Sequence, residues 1–162
     1  MASIQAFNYI ILNQGNIEII QTNAGDLPTL VFDDKYKSSL VSHKKNEVLY
    51  LESSDPDISM RFNLNNLQTC YLTIMTGSIE ARALAKRKNK NYIKLGAIVL
   101  HLKRDEIGSL YMRVTAGIII ADDSIKVIPH KSKGYEAFFQ GALQHQDTVL
   151  IVETGAIICH II

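Results

Sequence analysis

A chain of 162 residues is long enough for one hydrophobic core and too short for two of useful size. Its composition, 47% hydrophobic and 20% charged with nine Gly and three Pro, belongs to a folded globular protein and excludes the disordered and collagenous classes. A formal net charge of +1 supplies no global field toward nucleic acid or anionic lipid, and two cysteines cannot frame a disulfide scaffold.

In chain order, the dominant signal is short β-rich runs with period-two alternation, punctuated by turn residues. A first run, Ile4 to Leu12, is separated from Ile17 to Gln21 by Asn13-Gln14-Gly15-Asn16, a break that predicts a hairpin because Asn and Gly supply positive φ. Further strands are predicted at Thr29 to Phe32, Glu47 to Glu52, Ile58 to Asn63 and Gln68 to Met75, with turns over Asn23 to Pro28, Ser53 to Asp57 and Asn65-Asn66. A short helix around Lys35 to Val41 has weaker support. Ser78 to Lys90 fits a strand by its alternating Ile79, Ala81, Ala83 and Ala85 and a helix by its Ala/Arg/Lys-rich run; pairing with the next segment through Asn89-Lys90-Asn91 favours the strand. Tyr92 to Arg104 and Ser109 to Ile120 read as a strand and its return, joined by a turn at Asp105 to Gly108. Asp122-Asp123-Ser124 then leads into a short strand at Ile125 to Ile128.

Between residues 134 and 146, Tyr135, Phe138, Phe139, Ala142 and Leu143 fall at helical spacing and predict one amphipathic helix. Thr148 to Val152 and Ala156 to Ile162 form a last apolar pair around Glu153-Thr154-Gly155. Pro28, Pro56 and Pro129 fall between runs, as a sheet requires. No internal repeat, low-complexity tract or linker stands out. The expected fold is all-β and mainly antiparallel: a single-domain β-barrel or two-sheet sandwich over residues 1–162 with that one helix.

Motifs of catalysis are missing: there is no Gly-x-Gly-x-x-Gly, P-loop, Gly-x-Ser-x-Gly or His-Glu-x-x-His. A lipocalin-like carrier would fit the length, but the Gly-x-Trp expected at its first strand has no counterpart in a chain without Trp. His43, His101, His130, His145 and His160 lack the close ligand spacing of a structural metal site, so no cofactor or metal is expected. His101 reads as a hydrogen-bonded wall residue, and Cys70 and Cys159 as buried reduced thiols. The acidic pairs Asp33-Asp34, Asp55/Asp57, Asp105-Glu106 and Asp122-Asp123 read mostly as turn chemistry.

Charge is uneven along the chain: residues 1–60 carry a net −4 and residues 61–162 a net +5. Much of the excess lies in a basic 86–94 loop, with Lys86, Arg87, Lys88, Lys90 and Lys94 around Tyr92. Two readings follow. The leading one is a non-enzymatic structural or interaction protein that self-associates as a homo-oligomer, of capsid, tail-tube or secretion-ring type, its basic segment meeting an acidic surface on a neighbour. The alternative is a small binding module holding single-stranded nucleic acid or another polyanion through the same residues. An enzyme whose site is assembled from distant residues, such as His101, His130 or His145 with an acidic turn, leaves no local spacing to read. A soluble, cytoplasmic protein without membrane insertion is expected: no apolar run approaches the ~20 residues of a spanning helix, and the first residues lack the pattern of a secretory signal.

Overall fold

A computed structural model describes residues 2–5, 7–21, 28–64 and 69–162. Twelve strands make up the described fold: β1 (Ala2–Gln5), β2 (Tyr9–Gln21), β3 (Thr29–Phe32), β4 (Leu40–Lys45), β5 (Val48–Ser53), β6 (Ser59–Leu64), β7 (Thr69–Ala81), β8 (Lys88–Leu102), β9 (Ser109–Ala121), β10 (Val127–Pro129), β11 (Tyr135–Gln140) and β12 (Asp147–Ile161). The all-β class is therefore observed. The turns expected over Asn23 to Pro28 and at Asn65-Asn66 fall almost wholly outside the described residues.

The centre of the sheet is parallel, which corrects the mainly antiparallel expectation. Strands β2, β7, β8, β12 and β9 lie side by side in that order, each parallel to the next. Antiparallel pairs are confined to the flanks: β1 with β3, β3 with β6, β4 with β5, β11 with β9, and β10 with β11. Tyr92 to Ile120 is thus not a hairpin, because β12 is inserted between β8 and β9.

Geometry then forces the strands to bend. A straight 13-residue strand is about 40 Å long. Yet the chain returns from Ala81 to Lys88, beside Thr69, through residues 82–87, which can span no more than about 25 Å. Residues 103–108 make the same return from β8 to β9. Each long strand achieves the bend at a glycine of positive φ: Gly15, Gly77, Gly96, Gly155 and Gly117, with φ between 138° and 150°. These glycines stand in register across the five strands. A Cβ on Gly96 would overlap the Gly77 carbonyl oxygen, and one on Gly155 would overlap that of Gly96, so the backbones approach to a distance that only glycine permits.

The bend also shifts the inward-facing phase. In β2, Ile10 and Leu12 point inward before it and Ile17 and Ile19 after it; in β8, Asn91 and Ile93 give way to Ile98 and Leu100. The pattern, apolar-x-x-Gly-x-Ile, occurs five times: Leu12 to Ile17, Ile74 to Ile79, Ile93 to Ile98, Val114 to Ile119 and Val152 to Ile157. The chain does contain an internal repeat. Asn13 to Asn16 and Glu153 to Gly155 are not turns between strands but the bends of β2 and β12.

The bends divide the sheet into two limbs sharing the five central strands. The first limb runs β4-β5-β2-β7-β8-β12-β9-β11-β10, and the second runs β1-β3-β6-β2-β7-β8-β12-β9. Their inward residues join one hydrophobic cluster that includes Leu12, Ile74, Ile93, Val152 and Val114 from the first limb and Ile17, Ile79, Ile98 and Ile157 from the second. Burial of each such side chain is worth about 1.5–3 kcal/mol, which offsets the backbone order that the parallel ladders demand.

Four local expectations change. The helix expected at 134–146 is strand β11 followed by irregular chain, because Tyr135–Gln140 pairs antiparallel with Ser109–Val114. Lys35 to Val41 is a single 3-10 turn at Asp34–Tyr36, capped by Asp33, followed by β4. Ser78 to Lys90 is strand only at its two ends. Its middle is an irregular crossover held by Asn89, whose side chain accepts from Ala85 N–H (2.6 Å) and donates to Ala85 C=O (2.8 Å). Pro129 ends the edge strand β10, where its missing N–H costs no ladder bond.

Candidate functional site

Four of the six residues singled out from the sequence share one face of one strand. Lys88, Lys90, Tyr92 and Lys94 alternate outward along β8, about 6.7 Å apart, while Asn89, Asn91 and Ile93 point inward. Lys86 and Arg87 belong to the crossover before it. The basic segment is therefore mostly strand rather than loop, and it sits in the middle of the first limb's outer surface.

Register places aromatic rings around it. One outward row crosses the strands as Tyr9, Tyr71, Lys90, Val149, Tyr111 and Phe138; the next runs Tyr50, Ile11, Thr73, Tyr92, Ile151, Arg113 and Glu136. Tyr9 and Tyr71 lie with ring centroids 5.7 Å apart, and Tyr111 and Phe138 4.8 Å apart. Phe138 is 61% exposed and Tyr50 42%. At the β4–β5 end the surface dips into an apolar hollow of about 280 Å³, lined by Ile11, Val41, Tyr50 and Met75 among others.

Three of these tyrosines are tethered in the same way. The Tyr9 hydroxyl shares a hydrogen bond with the Thr73 hydroxyl (3.1 Å), Tyr92 donates to Glu153, and Tyr111 donates to Glu136 (3.1 Å). In each case the partner lies one strand over in the same lateral direction and two residues nearer the bend. Burial, reinforced by the adjacent Glu153 carboxylate, pushes the Tyr92 phenol up to about 12. Tyr111 shifts upward by the same two causes, with Glu136 as its carboxylate.

The second limb's outer surface is different. At its β2–β8 part a strip of charge runs Arg61–Glu18–Arg82–Glu80–His101, with contacts of 3.7, 3.5, 2.7 and 3.2 Å, and His101 stacks on His160. His101 is thus a wall residue of this surface, beside Glu80 and stacked on His160. The strip forms part of a groove of about 580 Å³ with a mixed lining that includes Asn16, Ser78, Phe32 and Met60. Arg61 and Arg82, from the basic part of the chain, pair with Glu18 from the acidic part, so charges separated along the sequence are interleaved in space.

Further along this surface, Ala97, Ala156 and Ile118 stand in one row and Val99, Ile158 and Ile120 in the next. Ile118 is 52% exposed and Ile120 49%. This apolar strip ends at a sheet edge. β11 covers β9 only as far as Val114, and among the described residues no strand pairs with the outer side of Ala116–Ala121. The other edges are short or guarded, a three-residue stretch at Phe138–Gln140 of β11 being short and without an outer strand partner among the described residues. β4 carries Lys44 and Lys45, β10 is three residues long and ends in Pro129, and β1 has four residues.

Cys70 and Cys159 are buried free thiols; burial raises both, that of Cys159 to about 12 with help from Asp122. Such thiols are packed hydrophobes, as expected. Among the described residues no three of His, Cys, Asp and Glu converge on one point. Two acidic pairs do turn work, Asp33 capping Lys35 N–H and Asp55 accepting from Asp57 N–H, whereas the Asp122 side chain accepts from Ile161 N–H and ties down the end of β12. No described helix is long and apolar enough to cross a membrane.

No protein-family model matches the chain, and no curated protein matches it. Among solved structures, that of a candidate cell-adhesion protein from Clostridium sporogenes is similar, with a TM-score of 0.52 and 13% identity over 99% of this chain and 98% of that one. At that identity the likeness concerns the fold alone.

Proposed function

We propose that this protein is a non-enzymatic interaction module that self-associates through the edge of β9. The observation that carries the reading is the unguarded edge at Ala116–Ala121, which adjoins the exposed Ile118 and Ile120 while the remaining edges are short, charged or end in proline. N–H and C=O groups without a strand partner on an apolar edge are a template for another strand. A second copy supplies one with the same apolar composition across a two-fold axis, where the two Ile118–Ile120 strips lie side by side on one face. In such an antiparallel pair, opposing residues share a face, so their numbers sum to an even value and Ile118 meets Ile118 or Ile120.

The support is edge chemistry rather than electrostatic polarity, since acidic and basic side chains interleave on this limb. The cell-adhesion description of the Clostridium sporogenes structure agrees with an interaction role by analogy of fold. Closed rings, tubes and shells would need heterologous contacts in addition to this two-fold one.

Sedimentation equilibrium tests it. The unmodified protein is expected to be a dimer or larger at micromolar concentration in both low and high salt, and Ile118→Lys with Ile120→Lys is expected to sediment as a folded 18.1 kDa monomer. An unmodified protein that stays monomeric at high concentration would end the reading.

A further inference from the structure

The outer surface of the first limb carries a second inference, independent of the edge of β9. We propose that it is a platform for a neutral, hydroxyl-rich polysaccharide chain. Two features of the face lead there, the posture of the rings and the balance of charge.

Posture comes first. A tyrosine standing upright on a sheet would point its hydroxyl at solvent. Tyr9, Tyr92 and Tyr111 instead reach sideways to Thr73, Glu153 and Glu136, each on the neighbouring strand. The rings therefore reach sideways along the sheet, all in the same direction, and each keeps part of its surface exposed. They lie on β2, β8 and β9, successive members being two strands or roughly 10 Å apart. A ligand that uses all three must be extended and must present a flat apolar face at intervals. Sugar rings do this: the polarised C–H bonds of one face are attracted to the negative face of an aromatic ring.

Charge selects among extended ligands. The outward positions of β8, β12, β9 and β11 hold four cations (Lys88, Lys90, Lys94, Arg113) and three carboxylates (Asp147, Glu153, Glu136). Two of the carboxylates sit against the tyrosines that would do the stacking, where a phosphate backbone would meet them at close range. Neutral hydroxyl groups suit the same arrangement: the carboxylates accept from them and the lysines donate to them. The hollow at Tyr50 and Met75 adds an apolar end to the track.

Native gel electrophoresis of the full chain through gels cast with soluble starch, hydroxyethylcellulose or xylan tests the proposal. Retardation is expected in at least one of the three and is expected to survive high salt. In that gel Tyr92→Ala and Tyr111→Ala should weaken binding roughly tenfold, as loss of a stacking ring does. Tyr92→Phe, which keeps the ring but loses its tether to Glu153, should weaken binding less than Tyr92→Ala does. Three outcomes overturn the proposal: no retardation in any gel, equal retardation of Tyr92→Ala, or salt-sensitive binding of oligothymidylate that is lost when Lys88, Lys90 and Lys94 become Ala. The last would identify the face as a single-strand nucleic-acid surface instead.

Discussion

Tyr92 concentrates what a single residue contributes to this surface. Its ring is half-buried between Thr73 and Ile151, and its hydroxyl donates to Glu153. Burial first, and the carboxylate second, hold the phenol near 12 in the folded chain, above the ~10 of an exposed tyrosine. Because the folded state keeps its proton longer than the unfolded one, this stabilisation is complete below about pH 10 and is lost as the pH climbs through about 12. Phenolate absorbance of the native protein is expected to show Tyr92 and Tyr111 titrating late, and Glu153→Gln should move Tyr92 down part of the way while leaving the burial effect. A curve unchanged by Glu153→Gln would mean that burial alone holds the proton. The same residue marks what sequence reading could reach. Lys88, Lys90, Tyr92 and Lys94 were recognisable as a basic and aromatic cluster, but the rings that complete the face come from Tyr9, Tyr71 and Tyr111, on three other strands whose register no local pattern encodes. Asn89 and Gln146 were missed for a related reason. Buried polar side chains at strand ends look like loop residues until the crossovers they tie down are known: Asn89 binds Ala85, and Gln146 binds both Gly108 N–H and Ala85 C=O.

At the scale of the strand, the glycine bend is the defining device. Gly96 lies at the centre of the five, with φ +146°, and its backbone touches that of Gly77 on one side and Gly155 on the other. Gly96→Ala would place a side chain in a backbone region costing about 1–3 kcal/mol and would also press on the Gly77 carbonyl. The substitution is expected to lower stability by more than about 3 kcal/mol or to abolish folding, whereas Thr154→Ala, at an exposed position of the neighbouring bend, should change it by less than about 0.5 kcal/mol. Urea denaturation of the two variants measures the contrast, and equal midpoints would show that the ladder tolerates a side chain. Period-two alternation was legible within each half of a bent strand, so the strands were found. The shift of phase at each glycine was not, because an Asn/Gly-rich or Thr-Gly break in an alternating run has the chemistry of a hairpin turn. Only the five apolar-x-x-Gly-x-Ile segments laid side by side distinguish a bend from a turn. Helical spacing misled in the opposite way. Tyr135, Phe138, Phe139, Ala142 and Leu143 match one helical face, but pairing of Tyr135–Gln140 with β9 outweighs that local preference.

For the molecule as a whole, the order of the strands matters more than their number. β12 lies between β8 and β9, both of which precede it by dozens of residues, and it pairs with β8 over nearly its whole length. Until Asp147–Ile161 is in place, β8 and β9 each present an unpaired parallel edge at the middle of both limbs. That is a far longer exposed edge than the Ala116–Ala121 segment left open in the finished fold. β12 also brings Leu150, Val152, Ile157 and Cys159 into the core from both sides of the bend. A chain lacking residues 147–162 should therefore lose more than one strand's share of stability. It loses two central ladders and divides the glycine row between Gly96 and Gly117. The expected result is a species without a cooperative unfolding transition and prone to associate through its exposed strands, in contrast to the Ile118→Lys and Ile120→Lys variant, which should be folded and monomeric. Circular dichroism during urea titration, followed by sedimentation, separates the two. If the shortened chain unfolded in one transition at the midpoint of the whole protein, the central ladders would not be what holds the limbs together.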